Sequence, residues 1–280
     1  MKYYLGISGW FERGHDASAV LLAEKDGNIK IVGAVEEERF TRNRYSFNEM
    51  PINSVQWCLE QVGGDFCIGD LDGIAYSWNW PQVYENKMRM FDTNVIYDTG
   101  FMNKSDVERT RFFNHHQCHA ASAYYPSGYD DALVIVLDGQ GEQESGSIWR
   151  ARNRNMTLLS RISVGASLGY FFQAASEFCG LGGQHAGKMM GLSGYGKPIY
   201  KSQILSHFAL EGIKYDVNSI SRRLESNCRN ELDDEEFVIF QWMNKFTHIC
   251  GVAPNRNANG KSFEEFPSPY VDLAASVQAV

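Results

Sequence analysis

The sequence predicts an α/β protein built on a mixed sheet flanked by helices. Two observations carry this. Three β-prone runs, 3–8 (YYLGIS), 18–24 (SAVLLAE) and 29–35 (IKIVGAV), follow one another closely near the start. The strongest strand signal, 132–137 (ALVIVL), lies between segments whose apolar residues fall at helical spacing.

In chain order, the first two runs are separated by Gly9–Asp16, which holds Gly9, Gly14, His15 and Asp16. Asp26-Gly27-Asn28 is a turn signal, so the opening reads as a β-meander. In 54–62 the apolar residues fall at 55, 58, 59 and 62, one face of a helix. A strand is expected over 71–76, leading into Trp78, Trp80 and Pro81. Tyr76, Trp78 and Trp80 suit stacking on a sugar or nucleoside ring, and equally a place in the core. Small apolar residues over 117–125 predict a helix beginning near Asn114. The unbroken apolar run 132–137 is what a strand buried on both faces shows. Paired strands follow over 145–150 and 158–164, and residues after 165 turn more helical. The polar, acidic stretch 216–236 is expected on the surface. Apolar residues at 273, 274, 277 and 280 mark an amphipathic helix that reaches the last residue without a cap. That points to a chain cut short, the alternative being a natural terminal helix. The expected division is a first subdomain over 1–164, then a helical connecting region over 165–280 that leads into an incomplete second subdomain.

A chain of 280 residues with 44% hydrophobic and 21% charged residues can bury a sizeable core. Its formal charge of −8 argues against non-specific nucleic-acid or anionic-membrane binding. No apolar run approaches the roughly 18–20 residues of a membrane helix, and the first residues lack a leader's apolar stretch. A cytoplasmic protein with reduced thiols is expected, because the six cysteines form no C-x-x-C pair.

Five stretches carry candidate chemistry. In Asn114-His115-His116-Gln117-Cys118-His119, His115 and His119 are four apart. On a helix they share a face, a natural pair of ligands for a divalent cation; three histidines in five residues are also compatible with plain polar surface. Asp138-Gly139-Gln140-Gly141-Glu142 sits at the carboxyl end of a strand, where α/β folds place ligands. Glycines there let backbone N–H groups approach a phosphate, and Asp138 can complete a ligand set, but Asp-Gly is also a common turn. Gly6–Gly9 with Gly14–Ser18 resembles a glycine-tipped hairpin around phosphates. The glycine-dense segment 180–196 surrounds Lys188 and reads as a backbone cradle with one cation for phosphate or carboxylate, although Met189 breaks the Walker A order. Glu36–Arg44 reads on composition as a solvated charged turn.

Taken together and in order, GISGWFERGHDASAVLL, AVEEERFTRNR, NHHQCHAASAYYPSGYDDALVIVLDGQGE, SLGYFF and AGKMMGLSGYGKP resemble the NodU/CmcH carbamoyltransferase family. These blocks span 5 to 198, and DLAASVQ near the end is similar too. The resemblance implies an actin-like ATPase (ribonuclease H-like) fold and a further carboxy-terminal domain that makes carbamoyl-adenylate from carbamoyl phosphate and ATP. The carbamoyl group then passes to a hydroxyl of a small-molecule acceptor. It implies a metal, usually iron, on His115, His119 and Asp138, with Gly139, Gly141 and Gly169 along the nucleotide and His15 near the acceptor hydroxyl, where it can take the proton. Arg44 stands where the family often has lysine; the charge is kept, the geometry is not. A later glycine-rich block with another aspartate ligand, expected after DLAASVQ, is not in this sequence, nor is the carbamoyl-phosphate domain, so the chain as given is expected to be inactive alone. Two other readings stay open: an actin-like small-molecule kinase or ATPase, and a non-catalytic half needing a partner chain.

Overall fold

A computed structural model describes residues 1–10, 14–82, 102–212, 214–217, 219–220, 234–256, 258 and 260–280. The chain forms two compact units, 1–118 and 119–280.

In the first unit, β1 (Lys2–Ser8), β2 (Ser18–Lys25) and β3 (Asn28–Glu36) form the expected antiparallel meander. On the other side of β1 lie β4 (Gly73–Tyr76) and β5 (Thr110–Phe112), both parallel to their neighbours. The order β3-β2-β1-β4-β5, with β2 alone reversed, is the ribonuclease H-like sheet the sequence led us to expect.

Glu36–Arg44 is a correction to the expected solvated turn, because Glu37 is fully buried just ahead of α1 (Glu38–Thr41). The next helix, α2 (Ile52–Glu60), buries Val55, Cys58 and Leu59 in the core of this unit, each large apolar side chain being worth about 1.5–3 kcal/mol. The residue before α2 is Pro51, whose side chain cannot cap a helix. The Glu37 carboxylate does that work from a distance: Asn53 N–H and Ser54 N–H donate to it at 3.0 and 2.7 Å, as do the Asn53 amide and the Ser54 hydroxyl. An anion at a helix N-terminus also meets the positive end of its dipole. In the preceding loop Gly14 packs against the Trp10 backbone so closely that a Cβ would fall 2.3 Å from its carbonyl oxygen, so only glycine fits.

After α3 (Lys104–Arg109), helix α4 (His115–Tyr124) opens with Asn114, whose side chain accepts from Gln117 N–H and caps it. The second unit has its own antiparallel meander, β6 (Asp131–Leu137), β7 (Glu144–Arg152) and β8 (Asn155–Ser163). Ala120 and Tyr124 of α4 pack on Val134 and Val136 of β6 and on Trp149. On the opposite face Leu133, Ile135 and Leu137 are 61%, 58% and 53% exposed. The expectation of burial on both faces is therefore corrected. β6 is the first strand of this sheet, and an apolar run reads the same whether one face or two are covered.

A helical core follows, centred on α5 (Leu168–Phe178), α6 (Ala186–Ser193), α8 (Asp234–Cys250) and α9 (Ser268–Gln278), with the short α7 (Lys201–Leu205) between them. Ile162 and Val164 join that core, which ties the meander to the helices. The units accordingly divide at 118/119, earlier than the 164/165 boundary read from the sequence. Of the acidic stretch expected on the surface, Val217 and Ile220 are fully buried, while 218 and 221–233 lie outside the described residues. Among the described residues no helix is long and apolar enough to cross a membrane. None of the five described cysteines is in a disulfide. Burial pushes the Cys58 thiol up to about 11 and the Cys179 and Cys250 thiols up to about 12, which keeps them protonated and unreactive.

Candidate metal centre

His115 and His119 lie one turn apart on the continuous helix α4, so the helix itself sets their common face. Asp138 follows the last residue of β6. His119 Nε2 lies 3.6 Å from Asp138 Oδ2, the two side chains being 49% and 30% exposed. One ligand atom each from His115, His119 and Asp138 lie within 4.8 Å of one another. Ligands bound at about 2.1 Å to one cation stand roughly 3.0–3.4 Å apart, so the His119–Asp138 pair at 3.6 Å needs to close by only a few tenths of an ångström to share one. Two imidazoles and a carboxylate are the donor set of non-haem iron and also of zinc. The donor chemistry fits a divalent cation. His116, between them, is fully buried.

The Asp138 loop is held by hydrogen bonds of its own. Asp138 N–H donates to the Ser145 carbonyl and Gly141 N–H to the Glu144 carbonyl, closing a tight turn between β6 and β7. Gly139 N–H donates to Asp138 Oδ1 at 2.7 Å. The N–H groups of Gly139 and Gly141 are thus engaged within the turn, and the expected phosphate cradle of free backbone donors is not what this loop presents. Its Oδ1 thus engaged, Asp138 turns Oδ2 to His119.

The loop is also clamped to the start of α5. Ser167 caps α5 by accepting from Tyr170 N–H, and its hydroxyl donates to the Gly139 carbonyl at 2.7 Å. The Tyr170 hydroxyl donates to Gln140 Oε1 at 2.9 Å. At Gly169 an added Cβ would stand 2.6 Å from Gly139 N and 2.8 Å from the Asp138 carbonyl oxygen. The backbone contact explains this glycine. Ser167 and Tyr170 escaped the sequence reading, because nothing in their local pattern ties them to a loop some 28 to 30 residues earlier.

His15 is exposed, and its Nδ1 lies 2.7 Å from Asp16 Oδ2. Arg44 is exposed, its guanidinium 4.7 Å over the Tyr45 ring and bonded to the Tyr45 hydroxyl. Lys188 is exposed on α6, whose other side buries Met189 and Leu192. Residues 186–193 are therefore a helix anchored by two apolar side chains, where the sequence suggested a backbone cradle around Lys188. Tyr76 is core, its hydroxyl donating to the Gly9 carbonyl, and burial raises its pKa well above the usual phenol range.

Comparison with known proteins agrees with the family the sequence resembles. Residues 82–278 match the family described as Carbamoyltransferase N-terminus, and the chain belongs to that family. It is similar to nodulation protein NolNO of Sinorhizobium fredii, 30% identical over 208 residues that cover 69% of this chain and 30% of the relative. An uncharacterized protein of Synechocystis is 29% identical over 100% of this chain and 46% of its own length. Nodulation protein NolO of Bradyrhizobium diazoefficiens is 33% identical over 34% of this chain and 17% of its own. The chain thus spans less than half the length of these relatives. A Ppx/GppA family structure from Aquifex aeolicus covers 99% of this chain and is itself covered to 88%, with a TM-score of 0.35 and 11% identity. Similarity of that size decides nothing about the fold, which rests on the strand order.

Proposed function

We propose that this chain is the amino-terminal part of an O-carbamoyltransferase that moves a carbamoyl group from carbamoyl-adenylate to a hydroxyl of a small molecule. The adenylate derives from carbamoyl phosphate and ATP. The observation that carries the proposal is the His115–His119–Asp138 donor set on one helix and one strand end, in a chain of the carbamoyltransferase family.

His115, His119 and Asp138 would hold a divalent cation, iron first. When bound, such a cation polarises a carbonyl oxygen and neutralises phosphate charge. The chain's own residues supply the rest. Asp16 accepts from His15 Nδ1, which leaves Nε2 as the basic nitrogen. In the transfer the acceptor oxygen bonds to the carbamoyl carbon, the bond from that carbon to the phosphate oxygen breaks, AMP leaves, and the hydroxyl proton passes to His15 Nε2. The family resemblance would set Gly139, Gly141 and Gly169 along the nucleotide by close backbone approach, since the Gly139 and Gly141 N–H groups are already engaged within the turn. Lys188 and Arg44 are each exposed cations suited to nucleotide phosphate.

The test supplies carbamoyl-adenylate directly, with a panel of sugar and nucleoside alcohols and ferrous iron, and follows AMP release and carbamate-ester formation. Release that requires both acceptor and cation is expected, with loss in His119→Ala. Ester formation undiminished in His119→Ala refutes the reading, as does phosphoryl transfer to the alcohol when ATP is supplied in place of the adenylate.

A further inference from the structure

The first unit contains a stack of three indoles that ends on the imidazole of His115. Trp10 and Trp80 stack with centroids 4.4 Å apart and planes 21° from parallel. Trp80 and Trp78 follow at 5.2 Å and 14°, and Trp78 and His115 at 4.2 Å and 27°. The inner end is fixed in the core, since Trp10 is fully buried and packs edge-on against Tyr76. At the edge of the His115 ring, Nδ1 lies 3.3 Å from the Ser77 carbonyl oxygen. A carbonyl only accepts, so this contact requires the proton on Nδ1 and assigns the lone pair to Nε2.

We propose that Ser77 and Trp78 are positioning residues for His115 as a metal ligand: the Ser77 carbonyl fixes which ring nitrogen binds, and the Trp78 indole fixes the plane of the ring. This rests on the metal reading above and adds to it the groups that orient one ligand. The two residues are adjacent at the end of β4, so one strand end sets both tautomer and tilt. A ring clamped on its face and at its Nδ1 edge has little rotational freedom left to lose on binding, and affinity rises accordingly. The stack has a second consequence. A paramagnetic cation on His115 Nε2 lies next to the indole of Trp78 and quenches its emission.

The experiment has one arm without metal and one with cobalt(II). In the cation-free protein, long-range proton–nitrogen-15 spectra of His115 are expected to show a single Nδ1–H tautomer at a pH where the ring is neutral. Cobalt(II) titration, read by visible absorption, is expected to give an affinity about 10- to 100-fold weaker in Trp78→Leu. Trp78→Phe keeps a flat ring and should bind within about threefold of wild type while losing most of the cobalt quenching. Circular dichroism verifies folding, and should Trp78→Leu fail to fold, the tautomer and the Trp78→Phe quenching decide. A mixed tautomer, cobalt binding in Trp78→Leu equal to wild type, or full quenching in Trp78→Phe overturns the proposal. A wild-type protein with the single tautomer and no cobalt binding overturns the metal reading on which it rests, which separates the two failures.

Discussion

Gly169→Ala is expected to loosen the clamp between α5 and the loop that carries Asp138. An added Cβ meets three backbone atoms: Gly139 N at 2.6 Å, Gly139 Cα at 2.7 Å and the Asp138 carbonyl oxygen at 2.8 Å. Relaxed carbon contacts lie near 3.5–4.0 Å, so one side must retreat by roughly 0.8 Å. No flexible side-chain tip stands in the way to yield cheaply. The Ser167–Gly139 and Tyr170–Gln140 hydrogen bonds, 2.7 and 2.9 Å long, bridge the same gap and stretch with it. Overpacking costs about 1–3 kcal/mol and one lost neutral hydrogen bond about 1 kcal/mol, which gives a loss of about 2–4 kcal/mol. Urea unfolding reads this as a lower midpoint at unchanged slope. Asp138 moves with the loop, so cation affinity measured by equilibrium dialysis should fall as well. A Gly169→Ala protein within about 0.5 kcal/mol of wild type, binding the cation equally well, refutes the reasoning.

Other perturbations have equally definite outcomes. Glu37→Ala strands the Asn53 and Ser54 donors that its carboxylate satisfies and should cost on the order of 3–5 kcal/mol in urea unfolding, whereas Ser54→Ala, which removes one donor with its partner's bond, should cost about 1 kcal/mol. Equal losses in the two variants would contradict this role. Burial, with a smaller push from the Glu235 charge, holds the Glu177 carboxyl above its ordinary range despite a hydrogen bond from Gln173. A carboxyl raised in the folded state gives stability that is complete below the unfolded pKa, near 4.3, and is lost as pH rises through the folded value. Glu177→Gln should therefore raise Tm more at pH 7 than at pH 4; a gain that is the same at both pH values contradicts the assignment.

Much of the architecture was legible because it is written locally. The opening meander shows in three β-prone runs and a Gly27 turn, α2 in the spacing of Val55, Cys58 and Leu59, and the histidine pair in a single helical turn. What escaped depends on partners distant in sequence. Glu37 looks like a surface charge until Asn53 and Ser54 come to it across 16 and 17 residues. The glycines of 180–191 suggest a backbone cradle, but Met189 and Leu192 bury into the helical core and hold 186–193 as a helix. Whether Leu133, Ile135 and Leu137 are covered depends on what packs over β6, which the apolar run does not encode. Likewise the stacking of Trp78 on His115 joins residues 37 apart, and no local pattern announces it.

The most direct measurement is an anomalous difference map at the iron absorption edge from crystals equilibrated with ferrous iron. A single strong peak about 2.0–2.2 Å from a nitrogen of His115, a nitrogen of His119 and a carboxylate oxygen of Asp138 is expected. No peak there, or a peak that engages only one of the three, contradicts the assignment of this helix and strand end as the metal centre of a carbamoyltransferase.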